Sequence, residues 1–398
     1  MENHKLKICH VSHQTWPSVC GSVSRLENIL SAQKISGISS FVISSPFQKS
    51  LDSNADIESN NGVTYYRCGS DKKVDGVKNQ RTLLERIGRA FSIIPFTKRI
   101  IDICRKENPD VIHAHATFAM GIPALISGLI LNKKVVYEMR STWEDDISGG
   151  AFISLQKKLI KYLEYLTGTC SSYVFFVSNG IRDHYFKTAP RNNQTIHNCV
   201  PPPSEQQPLK SGNYSFGYIG SIVYYEGLET LIEASAILAK RRDDFSVNFY
   251  GEGKERDFLQ KMVEGLGLSS NIKFHGRIEY SDIGTAYSKI NCIVLPRRDL
   301  PITQKVAGLK PIEAFSYKKL VLASNVGGMR ELFTDKQHGL MFEPNSPESL
   351  AGLMEGAIDG KVNEAKIISQ ALLHYQKYFT LEEMGNRYLS AYRQVISK

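Results

Sequence analysis

Hydrophobic and polar positions alternate in two rhythms along this chain. Short apolar runs such as LKICHVS (6–12) and KVVYEM (134–139) are typical of strands, and stretches with helical spacing lie between them. A chain in which the two patterns alternate throughout predicts an α/β fold, with helices layered on parallel sheets. The predicted strands are 6–12, 40–46, 110–115, 134–139, 173–178, 195–200, 214–220, 247–253, 272–276, 290–296 and 319–325, and the predicted helices are 24–36, 119–131, 153–168, 227–240, 254–265 and 311–316.

A break in this alternation divides the chain. The stretch VPPPSEQQPLKSGNY has three consecutive prolines, which forbid helix and disfavour central strand. We predict an N-terminal domain over 1–203, a C-terminal domain over 204–380, and a last helix over 381–398 that packs back on the N-terminal domain. Ligands of open parallel sheets bind at the carboxyl ends of the strands, so two Rossmann-like domains facing across a cleft would form a two-substrate site.

Composition and charge narrow the class of protein. The 398 residues exceed what one hydrophobic core usually supports, and the 42% hydrophobic and 22% charged residues are ordinary for a soluble protein. The first residues lack the apolar core of a signal peptide, and the longest apolar runs are too short to span a bilayer, so a cytoplasmic location is expected. The net charge of +9 indicates anionic partners: phosphates, nucleic acid or an acidic membrane face. The seven cysteines lack CxxC spacing, which predicts reduced thiols and no zinc site.

The first candidate site lies between the first strand and the first helix. In SHQTWPSVCGSVSR (12–25), Gly21 and Ser22 can bring backbone N–H groups close to an anion at a helix start, and Arg25 lies one turn further on. An ordinary turn between strand and helix explains the same residues. The loop has no G-x-G-x-x-G, so the fingerprint of a dinucleotide site is absent.

A second candidate follows the strand at 134–139. YEMRSTWEDD (137–146) carries a run of polar and aromatic residues at the end of a buried strand, although a surface salt-bridge cluster is an equal explanation. The cleft candidates in this run are Glu138, Arg140, Trp143, Glu144 and Asp145. His113 and His115 share one face of the strand at 110–115, because side chains alternate along a strand. A core histidine is the simpler interpretation of each. With no cysteine or acid expected nearby, the pair is a poor metal site, and no metal is predicted.

The C-terminal half offers glycines or basic residues after four strands. The candidates are Gly220, Ser221, Gly251, Arg297, Arg298, Lys305, Gly308, Lys310, Gly327 and Gly328, with Glu313 beside them. The carboxyl ends of parallel strands lie at one edge of a sheet, so these connections converge. Glycine turns and helix starts present N–H groups to anions, and the basic residues add charge. This convergence predicts a phosphate-bearing ligand.

The motifs resemble those of the family-four glycosyltransferases, retaining enzymes of the GT-B fold, over nearly the whole chain. LKPIEAFSYKKLVLASNVGGMREL is similar to the donor-binding segment of that family, and FGYIGS and FYGEG are similar to its C-terminal turns. VSNGIRDHY and IHNCVPP resemble the segments before the linker. The subgroup with the greatest similarity is that of bacterial exopolysaccharide enzymes, at PSVCGSVSR, YEMRSTWED and PRRDL.

The resemblance implies roles for individual residues. Glu313 would bind the donor ribose hydroxyls, because a carboxylate accepts two hydrogen bonds, whereas a charge that complements the helix dipole is the alternative. The basic and glycine positions, Gly21 among them, would hold the diphosphate. The chain departs from the family at three places: Lys305 replaces the first of two glutamates, Ser221 and Glu226 replace an Arg and a Lys, and Arg140 replaces a histidine near the transferred sugar.

The implied reaction is transfer of a sugar, with retention, from a UDP- or GDP-type donor to a glycan or lipid-linked acceptor in bacterial surface polysaccharide synthesis. No further cofactor and no nucleic acid partner are expected. There is no D-x-D motif, so basic side chains and helix N-termini would stabilise the leaving diphosphate in place of a metal. The catalytic candidates are Arg140, His115, Asp145 and Lys310, and His115 or Asp145 would act as base if the leaving phosphate does not.

Other functions fit part of the pattern. A sugar-nucleotide epimerase shares the GT-B fold and would form product from the donor alone. A nicotinamide dehydrogenase is disfavoured by the missing fingerprint. A non-catalytic nucleotide-sugar-binding partner is favoured by Lys305, and donor hydrolysis without acceptor would separate it from an enzyme.

Residues 72–106 form a basic segment with ten Lys or Arg among apolar residues at roughly helical spacing. A basic amphipathic helix suits docking on an anionic membrane surface, here the inner face of the cytoplasmic membrane, beside a lipid-linked acceptor. Alternatively, its apolar face packs on the N-terminal sheet and its charges are solvated.

Overall fold

The computed structural model describes residues 5–18, 20–48, 55–69, 92–146, 153–203, 213–279 and 282–397. The chain divides into two units, Met1–His197 with Leu381–Lys398, and Asn198–Thr380. Residues 198–203, which the sequence assigns to the first domain, go with the second unit. Val200 shows why: its N–H donates to Phe379 O at 3.2 Å, and its carbonyl accepts from Tyr375 Oη at 3.1 Å.

The first unit contains one sheet with the strand order β3-β4-β2-β1-β5-β6-β7-β8. Its strands in the described residues are β1 Lys7–Ser12, β2 Ser39–Ser44, β3 Ile57–Asn60, β4 Val63–Tyr66, β5 Val111–His115, β6 Lys134–Met139, β7 Tyr173–Phe176 and β8 Asn193–Thr195. All neighbouring strands are parallel except the pair β3 and β4. The central strands are buried along nearly their whole length, because a parallel sheet is covered on both faces.

Two features of this sheet differ from the predicted strands. The antiparallel pair β3 and β4 was not predicted, although Asn61 and Gly62 between them form the Asn-Gly signal of a tight hairpin, with φ values of +51° and +81°. The predicted strand at 195–200 is wrong, since β8 ends at Thr195. Val200, near the end of the predicted strand, belongs to the second unit, and its backbone bonds to Phe379 and Tyr375 of that unit.

Helices cover the first sheet. They are α1 Gly21–Ile35, α2 Ile93–Glu107, α3 Phe118–Leu131, α4 Ile153–Cys170 and α5 Asn179–Tyr185. Helix α3 packs against both α2 and α4. Of the predicted basic segment 72–106, residues 72–91 lie outside the described residues. The remainder forms most of α2, which buries Phe96, Ile100 and Cys104 at helical spacing, so its apolar face is already packed.

The second unit contains a fully parallel sheet with the order β11-β10-β9-β12-β13-β14. The described strands are β9 Tyr214–Ile219, β10 Phe245–Tyr250, β11 Ile272–Phe274, β12 Cys292–Leu295, β13 Leu320–Ser324 and β14 Leu340–Phe342, and the helices are α6 Leu228–Ala239, α7 Arg256–Gly265, α8 Ile283–Tyr287, α9 Pro301–Lys305, α10 Lys310–Ser316, α11 Gly327–Arg330, α12 Pro347–Ile358 and α13 Glu364–Tyr378. Strands three, two, one, four, five and six of this unit stand in that order, which is the Rossmann arrangement. The predicted α/β class with two Rossmann-like domains is therefore confirmed.

The last helix, α14 Leu381–Ile396, belongs to the first unit and packs on α1. Its buried residues recur at helical spacing and include Tyr388 and Tyr392. Gly385 permits the close contact, because a Cβ there would lie 2.3 Å from the carbonyl oxygen of Ala32. In the part of the chain that the structure describes, none of the helices combines the length and the apolar character needed to cross a membrane.

Candidate functional site

The sheet of the second unit reverses its strand order between β9 and β12, the position at which open parallel sheets bind ligands. Gly220 and Ser221 follow β9, and Arg297 and Arg298 follow β12. The candidates from these two separate connections therefore lie at adjacent strand ends. Lys310 joins them, since its Cε would be 2.3 Å from a Cβ placed on Gly220.

A buried carboxylate that the sequence showed only as a departure organises this region. Glu226 accepts hydrogen bonds from Lys310 Nζ at 2.6 Å and from Arg297 Nη2 at 3.3 Å. Burial raises the pKa of Glu226, but the two cations outweigh it and lower that pKa to about 2. Glu226 is therefore ionised, and two cations against one carboxylate leave one net positive charge. Burial also lowers the pKa of Lys310.

Glycines allow this close packing. Gly220 and Gly251 have φ values of +148° and +146°, and a Cβ on Gly251 would lie 1.8 Å from the Gly220 carbonyl oxygen. Their N–H groups are already used, by Tyr250 O at 2.9 Å and Gly276 O at 2.8 Å. The sequence predicted that these glycines offer N–H groups to a phosphate. In the structure they instead make room for Lys310 and for each other.

The glycines at or just before the starts of α10 and α11 also make room for close packing. A Cβ on Gly327 or Gly328 would lie 2.2 Å from the carbonyl oxygen of Gln304 or Val306, respectively, and a Cβ on Gly308 would lie 2.8 Å from Arg297 Nη2. The Gly327 N–H donates to Gln304 Oε1 at 2.7 Å. The start of α11, predicted to bind an anion, is thus occupied by a glutamine side chain.

Arg298 and Lys305 are placed differently from Lys310. Arg298 forms an ion pair with Glu229 at 2.8 Å, and its guanidinium lies 4.1 Å from the centre of the Tyr224 ring. Lys305 ends α9 and is half-buried. Of the basic residues predicted in the second unit, Arg297 and Lys310 are the two that the structure brings to one carboxylate.

Glu313 lies one turn after Lys310 on α10 and is buried. Its Oε2 accepts from Tyr287 Oη at 3.2 Å, and the Tyr287 ring stacks on Tyr317 at 4.1 Å. Burial raises the pKa of Glu313 to about 7, against the opposing effects of Tyr287 and Lys310. A carboxyl group with that pKa changes its charge near neutral pH and can donate or accept hydrogen bonds.

The first unit has its own cluster where its strand order reverses, between β1 and β5. The strand register pairs His10 with His113 and His115 with Glu138, and all four side chains are buried. Arg25 Nε and Arg140 Nε donate to Glu138 Oε1 at 2.9 and 2.6 Å. Burial raises the pKa of Glu138, but the arginines hold it well below its ordinary value. The sequence predicted no acid near the histidines. That prediction is wrong, because β6 lies next to β5 and brings Glu138 beside His115.

A directed chain of hydrogen bonds leads away from Arg140. A guanidinium only donates, so Arg140 Nη2–H donates to His115 Nδ1 at 2.6 Å. Burial, with the charge of Arg140, holds the pKa of His115 well below its ordinary value, and the neutral ring carries its proton on Nε2. That N–H donates to His10 Nδ1 at 2.7 Å, and His10 Nε2–H donates to Gln33 Oε1 at 2.8 Å. The Gln33 amide then donates to Tyr392 Oη at 2.9 Å.

This chain bears on the predicted base and on metal binding. His115 is buried with both ring nitrogens bonded, which disfavours its role as a base and makes it a support for Arg140. The ring nitrogens of His10, His113 and His115 lie within 4.8 Å of one another, as a metal site would require. The positive charges of Arg25 and Arg140 beside them make a divalent cation unfavourable there.

The remaining predicted residues of the first unit lie near this cluster or at the surface. Gly21 begins α1, and the carbonyl of the next residue, Ser22, accepts from Arg140 Nη1 at 3.1 Å. The start of α1 and Arg140, two separate predictions, are therefore neighbours. Asp145 is exposed and accepts from Thr142 Oγ1 at 2.7 Å. The buried Glu144 bonds His184 Nε2 at 2.6 Å.

Two family models match the chain. Residues 5–202 match the model described as Glycosyltransferase Family 4, and residues 203–373 match the model described as Glycosyl transferases group 1. An uncharacterised glycosyltransferase of Methanocaldococcus jannaschii is 26% identical over 63% of this chain and 65% of its own length. The alpha-D-kanosaminyltransferase of Streptomyces kanamyceticus is 26% identical over 45% of each chain. The matches to these two relatives thus span less than two thirds of their lengths.

Solved structures resemble the whole chain. HepE of Anabaena in complex with UDP has a TM-score of 0.73 at 15% identity, covering 98% of this chain and all of that one. Sucrose-phosphate synthase of Thermosynechococcus elongatus has a TM-score of 0.75 at 16% identity, with 99% and 100% covered. The lipopolysaccharide outer core galactosyltransferase WaaB has a TM-score of 0.69 at 14% identity, with 98% and 100% covered. At such identities the likeness concerns the fold, which is GT-B.

Proposed function

The chain belongs to the family 4, group 1 glycosyltransferases, and we therefore propose that it transfers a sugar from a nucleotide-diphosphate sugar to an acceptor hydroxyl. The arrangement on α10 carries the proposal. Lys310 and Glu313 lie one turn apart at the carboxyl edge of the second sheet. An ammonium and a carboxylate at that spacing suit a ligand in which a diphosphate is joined to a ribose, with Lys310 on the phosphate and Glu313 on the ribose hydroxyls.

The net positive charge of the cluster formed by Glu226, Arg297 and Lys310 suits the departure of a nucleotide. The departing nucleotide gains negative charge as the bond between sugar and phosphate breaks. A preorganised donor aimed at that charge contributes about 3–4 kcal/mol to transition-state stabilisation. Lys310, held in place by Glu226 and backed by Arg297, is such a donor. In this proposal these cations replace a divalent metal.

The acceptor side of the proposal falls to the first unit. Arg140 and the start of α1 offer a positive region for an anionic group of the acceptor. The leaving phosphate takes the proton of the attacking hydroxyl and the sugar keeps its configuration, with the exposed Asp145 as the alternative base. We assign the reaction to bacterial surface polysaccharide synthesis at the cytoplasmic face of the membrane. The likeness to a lipopolysaccharide galactosyltransferase supports that assignment.

A UDP-sugar is the donor we favour over a GDP-sugar. HepE, which shares the fold of this chain, has been solved with UDP and with UDP-glucose. Thermal-shift measurements with UDP-, GDP-, ADP- and dTDP-sugars test the preference directly. A UDP-sugar should raise the unfolding temperature most, and no shift with any of the four would contradict the proposed donor site.

Turnover separates the proposal from its alternatives. An active transferase should release nucleotide slowly from its donor without acceptor, whereas a non-catalytic partner binds the donor unchanged, and an epimerase converts the donor to another sugar nucleotide. Activity should also survive exhaustive chelation with EDTA. A loss of activity that Mg²⁺ or Mn²⁺ restores would remove the metal-independent part of the proposal.

A further inference from the structure

The two oxygens of the Glu313 carboxyl group have different surroundings. Oε2 accepts from Tyr287 Oη at 3.2 Å, whereas Oε1 makes no hydrogen bond to the residues that the structure describes. Glu313 is only 8% exposed, and polar groups that a protein encloses are nearly always hydrogen-bonded. One oxygen is therefore anchored to the protein, and the other is left for a ligand or a water molecule.

The tyrosine that anchors this carboxyl group is itself tightly held. Tyr287 is the last residue of α8 and is 2% exposed. Its ring stacks on that of Tyr317, with 4.1 Å between the ring centres and 7° between the ring planes. Burial and stacking fix the ring, so the direction of its hydroxyl group is fixed as well.

The stacked pair connects α8 to the helix that carries Glu313. Tyr317 follows Glu313 by four residues at the end of α10, so the two side chains lie one above the other on the same face of that helix. The ring of Tyr287 packs on Tyr317 while its hydroxyl group reaches Glu313. Helix α8 thus sets the direction of a carboxyl group on α10, although the bonded residues are 26 positions apart.

The titratable neighbours of Glu313 are few. Burial raises the pKa of Glu313, and the hydroxyl group of Tyr287 and the charge of Lys310 lower it. Tyr317 is the other titratable group on α10 that faces it, and burial and Glu313 raise the pKa of Tyr317. Strands β12 and β13 and helix α13 also pack on α10, but none of their described side chains shifts the pKa of Glu313. Among the described residues, Tyr287 is thus the hydrogen-bond donor that favours the ionised carboxyl group.

We propose that Tyr287 is a positioning residue of the donor site, whose hydroxyl group holds Glu313 Oε2 so that Oε1 is presented to the ribose hydroxyls of the sugar nucleotide. This inference rests on the proposed function, in which Glu313 binds the ribose. Tyr287 acts through Glu313 and makes no contact with the ligand itself. Side chains that fix the rotamer of a binding residue in this way are what keep a site preorganised.

The variant Tyr287→Phe tests the proposal, because it removes the hydroxyl group and keeps the ring on Tyr317. Loss of one hydrogen bond to a carboxylate changes its ionisation constant about tenfold, and the pKa of Glu313 should rise further. Affinity for UDP, measured by titration calorimetry, should therefore fall about fivefold at pH 7 relative to the parent chain. At pH 9 the carboxylate forms in both proteins, and the two affinities should agree within about twofold.

The carboxyl group provides a second measurement that needs no ligand. Carbon-13 NMR of glutamate-labelled protein follows the titration of Glu313, whose signal is the one that Glu313→Gln removes. In Tyr287→Phe this titration should move to higher pH. If the parent chain binds no nucleotide, the proposed function is wrong and the inference falls with it. If the parent binds UDP, but neither the titration nor the affinity changes in Tyr287→Phe, the inference alone is wrong.

A matched control lies at the opposite edge of the same sheet. Tyr214 begins β9, and its Oη donates to Glu364 Oε1 at 2.5 Å, so Tyr214→Phe removes the same kind of hydrogen bond outside the donor site. The control should bind UDP like the parent chain at both pH values. A loss of UDP affinity as large in Tyr214→Phe as in Tyr287→Phe would assign both losses to general destabilisation and overturn the proposal.

Combining the two site variants separates positioning from direct contact. Because Tyr287 acts through Glu313, its hydroxyl group should matter little once the carboxylate is gone. In the Glu313→Gln background, Tyr287→Phe should change UDP affinity by less than about twofold at pH 7. An effect as large as in the parent background would mean that Tyr287 contacts the ligand or supports the fold independently of Glu313, and the positioning role would be excluded.

Discussion

Each of the two units holds, at the carboxyl edge of its sheet, one buried carboxylate between two cations. The members are Glu138 with Arg25 and Arg140 in the first unit, and Glu226 with Arg297 and Lys310 in the second. The formal charge is the same, but the surroundings differ. The side chains of Arg25 and Arg140 are 4% and 6% exposed, whereas that of Lys310 is 20% exposed.

The difference in exposure indicates that the first cluster stabilises the fold, whereas the second can bind a ligand. In the first cluster, histidines and the hydroxyl of Tyr388 surround the carboxylate, so donors and acceptors are largely used within the protein. Such a cluster holds β6, α1 and α14 together and fixes Arg140. In the second, Lys310 keeps part of its side chain open beside Glu313, which suits exchange of protein contacts for those of a ligand.

Neutralising each carboxylate in turn tests this difference most directly. Glu138→Gln leaves two buried arginines with an unpaired charge, and we expect a loss of about 3–5 kcal/mol in the free energy of unfolding. Glu226→Gln should cost less, about 2 kcal/mol, because Lys310 can turn to solvent. Urea denaturation of both variants measures the difference. Equal losses would mean that the two clusters are closed to the same degree.

Transferase activity should depend most on the cation that is open to a ligand. Lys310→Ala removes the proposed phosphate contact, and we expect kcat/KM for the donor to fall about 100-fold while binding of the free nucleoside changes little. Arg298→Ala should have a smaller effect, since its guanidinium is paired with Glu229 and stacked on Tyr224. Lys240→Ala, an exposed lysine on the same unit, is the control. A loss at Arg298 that equals the loss at Lys310 would contradict this division of roles.

The sequence predicted the cations of both clusters as candidate site residues, but not which carboxylate they would meet. Lys310 and Glu313 lie one helical turn apart, so their proximity follows from helix spacing alone. Glu226 was visible only as a departure from the family pattern, because its partners Arg297 and Lys310 lie 71 and 84 residues away. Local periodicity carries no information on pairing at that distance.

The first cluster depends still more on tertiary structure. Glu138 is 113 residues from Arg25 and 250 from Tyr388, and only the register of β1, β5 and β6 with the return of α14 brings them together. The alternation of strands and helices was predictable because strands of a parallel sheet are apolar throughout. Strand order and register, which decide the side-chain neighbours, are not encoded in that alternation.

Glu313 offers a test with a smaller effect. Glu313→Gln keeps the shape but removes the charged acceptor, and a lost charge-assisted hydrogen bond costs about 1.5–3 kcal/mol, or roughly 10- to 150-fold in donor efficiency. Because the pKa of Glu313 is about 7, donor affinity should rise about tenfold between pH 6 and pH 8 as the carboxylate forms. Titration calorimetry of both proteins checks this. A pH dependence that persists in the variant would contradict the assignment.

The same pKa affects stability with a defined sign. The folded chain holds the Glu313 proton more tightly than the unfolded chain, whose carboxyl has the ordinary value of 4.5. The free energy of unfolding should therefore fall as the pH rises from about 4.5 to about 7. Glu164, whose pKa burial also raises to about 7, adds to this slope. Glu313→Gln should flatten the slope in part, and an unchanged slope would place the raised pKa elsewhere.

The smallest predicted effect compares two hydroxyl groups on one helix. Tyr388 Oη donates to the ionised Glu138, whereas Tyr392 Oη donates to the neutral His113 at 2.7 Å. Hydrogen bonds to charged groups are the stronger ones, so Tyr388→Phe should cost about 1.5–3 kcal/mol and Tyr392→Phe about 0.5–1.5 kcal/mol of unfolding free energy. Both rings are fully buried and both variants keep the ring, so packing is matched within the pair. Denaturation of the two variants at pH 7 gives the difference directly. If Tyr392→Phe were the more damaging, the chain of neutral hydrogen bonds, rather than the Glu138 ion cluster, would be what fastens α14 to the first sheet.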